Sequence, residues 1–170
     1  MLIMGIDPGI AISGYGFLKK NDIDIEVLEY GVLTTDAKDT VPERLKHIFK
    51  GYTELMTRYK PSAVAIEELF FNKNAKTIIN VGQARGIAIL AAALLDIDVF
   101  EYTPLQVKQS VVGYGRADKI QVQDMIKLIL KLRERPRPDD AADALAVALC
   151  HIHSNKLQNI IYKKQGFKSC

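Results

Sequence analysis

Residues 2–33 read LIMGIDPGIAISGYGFLKKNDIDIEVLEYGVL, and they decide the fold. The apolar run from Leu2 ends in Asp7-Pro8-Gly9, a strand halted by a turn, because proline fixes the backbone and glycine accepts the bend. Ser13 to Leu18 reads as a second strand, with Tyr15 and Phe17 suited to a pleated surface. Asn21-Asp22 supplies a hairpin turn, and a third strand runs from about Ile25 to Leu33. Three strands joined by short turns make a meander.

Beyond Leu33 the chain alternates helix and strand. Leu45, Ile48, Phe49, Tyr52, Leu55, Met56 and Tyr59 repeat at helical spacing, Thr40-x-x-Glu43 fits a capping box, and Pro61 closes the segment. Ser62 to Glu67 is apolar along most of its length, as in a strand covered on both faces. A polar loop around Phe71 to Asn74 precedes a second helix, about Ala75 to Leu95, whose Gly82, Ala84, Gly86 and Ala88 permit close packing. Ile97 to Tyr102 is the fifth strand. Thr103-Pro104 opens a short helix, Asp118 caps one reaching Leu132, and Asp139 caps a final helix to about His153. The layout is α/β: a five-stranded mixed sheet flanked by helices. Residues 1–154 form one domain, and 155–170 form a basic tail without periodicity that is expected to be disordered.

The composition agrees. A chain of 170 residues, 48% apolar and 25% charged, can bury a core without disulfide staples. The longest apolar stretch, Ile87 to Leu95, is about half of the ~20 residues a membrane span needs. Met1-Leu2-Ile3 meets Asp7 without a basic region or cleavage site, so no signal peptide is expected. Cys150 and Cys170 form no CxxC pair and no Cys/His cluster, which speaks against zinc and for a reducing cytoplasm.

Charge is unevenly spread. Residues 1–107 carry 11 Lys/Arg against 14 Asp/Glu, whereas 108–137 carry 8 against 3. A basic stretch suits a polyanion, although on charge alone a solvated helix face plus a basic loop is the simpler account. The acids are more informative. Asp7 ends one strand, Glu67 and Glu68 end another, and Asp140 and Asp143 share a face near the start of the last helix. If the two strands lie parallel and side by side, the four acids converge. Taken singly, each has an ordinary explanation as a turn residue, a strand exit or a helix-start acid. Together they form an oxygen donor set for hard divalent cations, which serve phosphodiester hydrolysis in pairs.

The motifs GIDPG (5–9), AIEELF (65–70), GQARG (82–86), FEYTPLQVKQ (100–109), VVGYGRADK (111–119) and DAADALA (140–146) resemble the RuvC family of crossover-junction (Holliday junction) endodeoxyribonucleases. The likeness spans about residues 2–153. It implies a ribonuclease H-like fold and a homodimer that resolves junctions by symmetric paired nicks during DNA recombination and repair. It also implies Mg²⁺, with Mn²⁺ able to substitute, two ions per site, and RuvAB as partner machinery. Carried over by position, the catalytic and metal ligands are Asp7, Glu67, Asp140 and Asp143. The DNA contacts are Phe70, Lys108 and Lys119, and Glu68 receives no role.

Rival readings are weaker. An actin-like ATP-binding protein normally duplicates this fold, and neither the length nor a second Asp-x-Gly strand allows that. A catalytically dead DNA-binding module would have lost an acid, and none is lost. A general ribonuclease H or transposase-like nuclease differs in substrate preference. Gly113-x-Gly115 is too short for a dinucleotide fingerprint and no Walker A motif occurs, which removes NAD and ATP. His151 and His153 lie too far along their helix from the acidic pair to join it.

Overall fold

The computed structural model describes residues 1–68 and 75–165, with side chains placed for 1–68 and 78–154. The meander is β1 (Leu2–Asp7), β2 (Ile12–Lys20) and β3 (Ile25–Thr34). It is followed by α1 (Val41–Tyr59), β4 (Ala63–Glu67), α2 (Ala75–Ala93), β5 (Asp98–Tyr102), α3 (Pro104–Val112), α4 (Lys119–Ile129) and α5 (Asp139–Gln165). The sheet order is β3-β2-β1-β4-β5. β1 pairs antiparallel with β2 and parallel with β4, which pairs parallel with β5.

Helix starts are chemically marked. The Glu43 carboxylate accepts the Thr40 N–H at 2.9 Å. Thr103 caps α3 and Asp118 caps α4, each reciprocated by a glutamine three residues on, Gln106 and Gln121. Two boundaries depart from the sequence reading. α4 stops at Ile129 rather than Leu132. α5 continues past His153 to Gln165. No proline or glycine interrupts 154–165, and extending an established helix costs far less than starting one, so apolar periodicity is not needed there.

The strand alternation divides the core in two. Ile3 and Gly5 of β1, and Ala63 and Ala65 of β4, face α5, where Leu145 and Leu149 are fully buried. Met4, Ile6, Val64 and Ile66 face the opposite layer, built from Ile48, Tyr52 and Met56 of α1 with Ala84 and Ala88 of α2. Ala84 and Ala88 of α2 therefore pack within the chain, whereas Gly86 lies on its exposed face.

Candidate active site

The same parity carries the acids. Asp7 follows Ile3 and Gly5 on the α5 side of β1, and Glu67 follows Ala63 and Ala65 on the α5 side of β4. The register pairs Gly5 with Ala65 and Ile6 with Ile66, so one further step sets Asp7 beside Glu67. α5 reaches them by backbone contact. A Cβ at Gly14 would lie 1.9 Å from the Asp140 carbonyl oxygen, and one at Gly5 would lie 2.0 Å from that of Ala144. Only glycine admits the helix this closely, and Asp140 and Asp143 arrive over the strand ends as a result.

The turn after Asp7 is held from below. Buried Tyr52 donates to Ser13 Oγ at 2.5 Å. Ser13 Oγ in turn donates to the Asp7 carbonyl at 3.3 Å and accepts the Gly9 N–H at 3.2 Å. The hydroxyl's proton and one lone pair hold the turn that aims Asp7, and its other lone pair ties that turn to Tyr52 of α1.

Electrostatically the acids share one field. Burial pushes the Asp7 carboxyl up to about 7, reinforced by Asp143, then Glu67, then Asp140. Burial also pushes Glu67 up to about 7, again reinforced by Asp143 and opposed by Lys108 and Lys119. Asp143 is raised by burial and held back by its bond to Lys119. Such carboxylates are short of compensating positive charge.

Part of that compensation is Lys119. Its Nζ stands 3.0 Å from Asp143 and 3.4 Å from Asp139. Among the described residues, no three acids, histidines or cysteines are already closed into a metal-binding group. The four carboxylates are thus mutually sensed but not drawn together, as expected of like charges with one lysine between them. Hard oxygen donors of a single sign and half-buried, with Asp7, Glu67 and Asp143 raised by burial and by neighbouring acids, fit a divalent cation. Glu67, Asp143, Lys108 and Lys119 line one cleft of about 210 Å³ with Pro104, Val107, Val122 and Ala146.

Some sequence expectations need correction. Asp139 is the first residue of α5, not a cap before it. Its carboxylate accepts from Gln123 Nε2 at 2.9 Å and meets Lys119, so it clamps α4 to α5. The signal was the four-residue spacing of Lys119 and Gln123, which puts both on one helical face. Ser13 and Tyr52 carried no readable signal, since a buried hydroxyl pair 39 positions apart leaves no local pattern. Much of the basic stretch is spent on internal pairs: Arg135 grips Asp124 with bonds of 2.5 and 2.7 Å, and Lys131 pairs with Asp24. Glu68 is exposed, its N–H bonded to the Tyr102 carbonyl. His151 is buried against Phe100 and Tyr102, and His153 lies 3.0 Å from the Ser110 carbonyl. Both histidines are held in packing or hydrogen bonds on α5. Phe70 lies outside the described residues.

Residues 3–151 match the family model described as Crossover junction endodeoxyribonuclease RuvC. A curated protein of that name from Alkaliphilus metalliredigens (strain QYMF) is 56% identical over 164 residues, covering 96% of this chain and all of the relative. Another from Alkaliphilus oremlandii (strain OhILAs) is 56% identical over 154 residues, covering 91% of this chain and 94% of the relative. Among solved structures, T. thermophilus RuvC in complex with Holliday junction substrate superposes with a TM-score of 0.85 at 35% identity, covering 92% of this chain and 96% of that one. The sheet order and flanking helices are accordingly the ribonuclease H-like fold expected from the motifs. Matched from its first strand well into α5, the chain belongs to the RuvC family of crossover junction endodeoxyribonucleases.

Proposed function

We propose that this chain resolves four-way DNA junctions by metal-dependent hydrolysis of one phosphodiester in each of two symmetric strands, in the cytoplasm, during recombination and repair. The observation that carries the reading is the convergence of Asp7, Glu67, Asp140 and Asp143 in one electrostatic field, beside a cleft lined by Lys108 and Lys119. Family membership and the junction complex of the Thermus relative support the substrate.

Asp7, Glu67, Asp140 and Asp143 would hold two Mg²⁺ ions, with Mn²⁺ able to replace them. Bound divalent ions supply Lewis-acid chemistry, ionising water near neutral pH and neutralising the leaving oxygen. The chain itself does the rest. The Ser13–Tyr52 pair fixes the turn that aims Asp7, and the glycine contacts of β1 and β2 fix Asp140 and Asp143 relative to it. Lys119, paired with Asp143 at 3.0 Å and lining the cleft, would offer its ammonium to a phosphate there. Lys108 seats the strand from the opposite helix, and Phe70 stacks on an unpaired base. The products carry a 5′-phosphate and a 3′-hydroxyl.

One such cleft cuts one strand, so paired nicks call for a homodimer with two clefts related by a two-fold axis. Ile79, Leu90 and Leu94, large apolar side chains left exposed on and just beyond α2, support that assembly. RuvAB is the partner machinery we assign by family. No helix among the described residues is long and apolar enough to cross a membrane.

The deciding assay offers a synthetic four-way junction, a linear duplex and an RNA–DNA hybrid, with Mg²⁺, Mn²⁺ or EDTA. Paired nicks confined to the junction and abolished by EDTA are expected. Preferential cutting of the hybrid would make the chain a ribonuclease. The lysines make a separate expectation: replacing Lys108 and Lys119 together should lower the slope of log affinity against log salt by about 2. A slope unchanged from the parent would remove both from the phosphate contacts.

A further inference from the structure

Between Lys108 and Lys119 the chain makes a turn that exposes an aromatic ring. α3 ends at Gly113, whose left-handed backbone (φ 90) starts the turn, and Asp118 caps α4 to finish it. Tyr114 sits between them, 48% exposed. Its hydroxyl donates to Gln121 Oε1 at 3.1 Å, and the same oxygen accepts the Asp118 N–H at 3.0 Å. The ring is therefore anchored by its tip to the cap of α4. Behind it, Gly115 lies against Leu105: a Cβ at Gly115 would fall 2.0 Å from Leu105 Cδ1. Leu105 is itself 54% exposed, and its neighbour Pro104 lines the acidic cleft.

This arrangement leaves Tyr114 and Leu105 exposed on the turn and helix start that adjoin the cleft-lining Pro104 and Lys119. Arg116 extends from the same turn into solvent, and Lys108 and Lys119 flank it. A fixed, exposed aromatic among cations suits a nucleotide, because every base offers a stacking face and every phosphate a charge. A lone exposed tyrosine needs no explanation, but this one is tethered at its hydroxyl, leaving the ring presented with little left to order on binding.

We propose that Tyr114 is a DNA-contacting residue that stacks on a nucleotide of the strand entering the cleft, with Leu105 extending the contact surface. The proposal rests on the nuclease reading above and adds a specificity element beside its cleft. It predicts that the face of the ring carries most of the contact, and that the hydroxyl adds only the smaller gain of holding the ring through Gln121.

Equilibrium binding of the full-length protein to a four-way junction and to a single-stranded oligonucleotide tests this, comparing Tyr114→Ala and Tyr114→Phe with the parent. Tyr114→Ala should weaken binding to both by about 5- to 100-fold, while Tyr114→Phe stays within about 2-fold. All three proteins should melt at similar temperatures. Unchanged affinity of Tyr114→Ala would overturn the proposal. So would equal losses in both variants, which would assign the effect to the Gln121 tether. The single-strand measurement judges Tyr114 independently of cleavage. A parent that binds single strands through Tyr114 but cuts no junction would refute the resolvase reading and leave this one standing.

Discussion

Asp7→Asn is expected to lower junction cleavage by on the order of 10³-fold, about 4 kcal/mol of barrier, while leaving junction affinity nearly intact. The asparagine keeps the shape of the side chain at the end of β1 and the Ser13-held turn, so the acidic cluster survives without one of its four carboxylates. The same substitution should stabilise the protein in EDTA. The Asp7 carboxyl rises from 3.8 to about 7 in the folded chain. Between those values the folded state holds a proton the unfolded state has released, so stability falls as pH rises through that window. Above it the penalty is complete, bounded at ~4 kcal/mol by the size of the shift. Metal-free Asp7→Asn should therefore melt higher than the parent at pH 8, with the gap closing toward pH 4. Thermal melts across that range check this directly. A variant that melts lower at pH 8, or loses binding and cutting equally, would make Asp7 a structural residue.

Gly14→Ala should do the opposite to stability and the same to activity. The added Cβ would meet the Asp140 carbonyl oxygen at 1.9 Å and carbon at 2.4 Å, with the Ala141 nitrogen at 3.1 Å. Every obstacle is backbone, so no side chain can rotate away and α5 itself must shift. Overpacking of this kind costs ~1–3 kcal/mol or more. The helix that moves carries two of the four carboxylates, so Mg²⁺ affinity measured by calorimetry should fall with the melting temperature. Gly86→Ala is the control. Among the described residues, no atom outside its own helix lies within 4 Å of its Cβ position, and in the interior of α2 the change should stabilise by ~0.5–1 kcal/mol. Equal behaviour of the two variants would contradict the close docking of α5.

These two substitutions mark what the sequence alone reveals. Asp7, Glu67, Asp140 and Asp143 are legible because each stands at the end of an element whose periodicity is plain, and because parallel strands end together. Asp118 is legible as a cap by its position before an amphipathic run. Gly14 is not, since a glycine within a strand is compatible with a bulge, a bend or a helix resting on it, and only the packed helix decides. Asp139 shifts by one residue because a cap and a first-turn acid differ only in backbone angles. Its real partners, Lys119 and Gln123, belong to another helix. The basic stretch reads as a surface, yet Arg135 closes on Asp124 of α4 and Lys131 on Asp24, far away in sequence. Long-range pairing leaves no spacing to read.

The division of the sheet into two faces has a consequence for how this chain can change over time. From Ile3 to Asp7 is four residues, as it is from Ala63 to Glu67, and an even interval keeps the terminal acid on the side where the strand first meets α5. Each strand behaves as a ruler with two-residue divisions. Loss or gain of one residue within either interval would swing its acid to the side of α1 and α2, against Ile48, Met56, Ala84 and Ala88 and away from the other acids. Length changes in the hairpin turn at 21–24 move no acid relative to another. Insertions and deletions should therefore survive in that hairpin, and β1 and β4 should tolerate substitutions in their core positions while refusing any change of count.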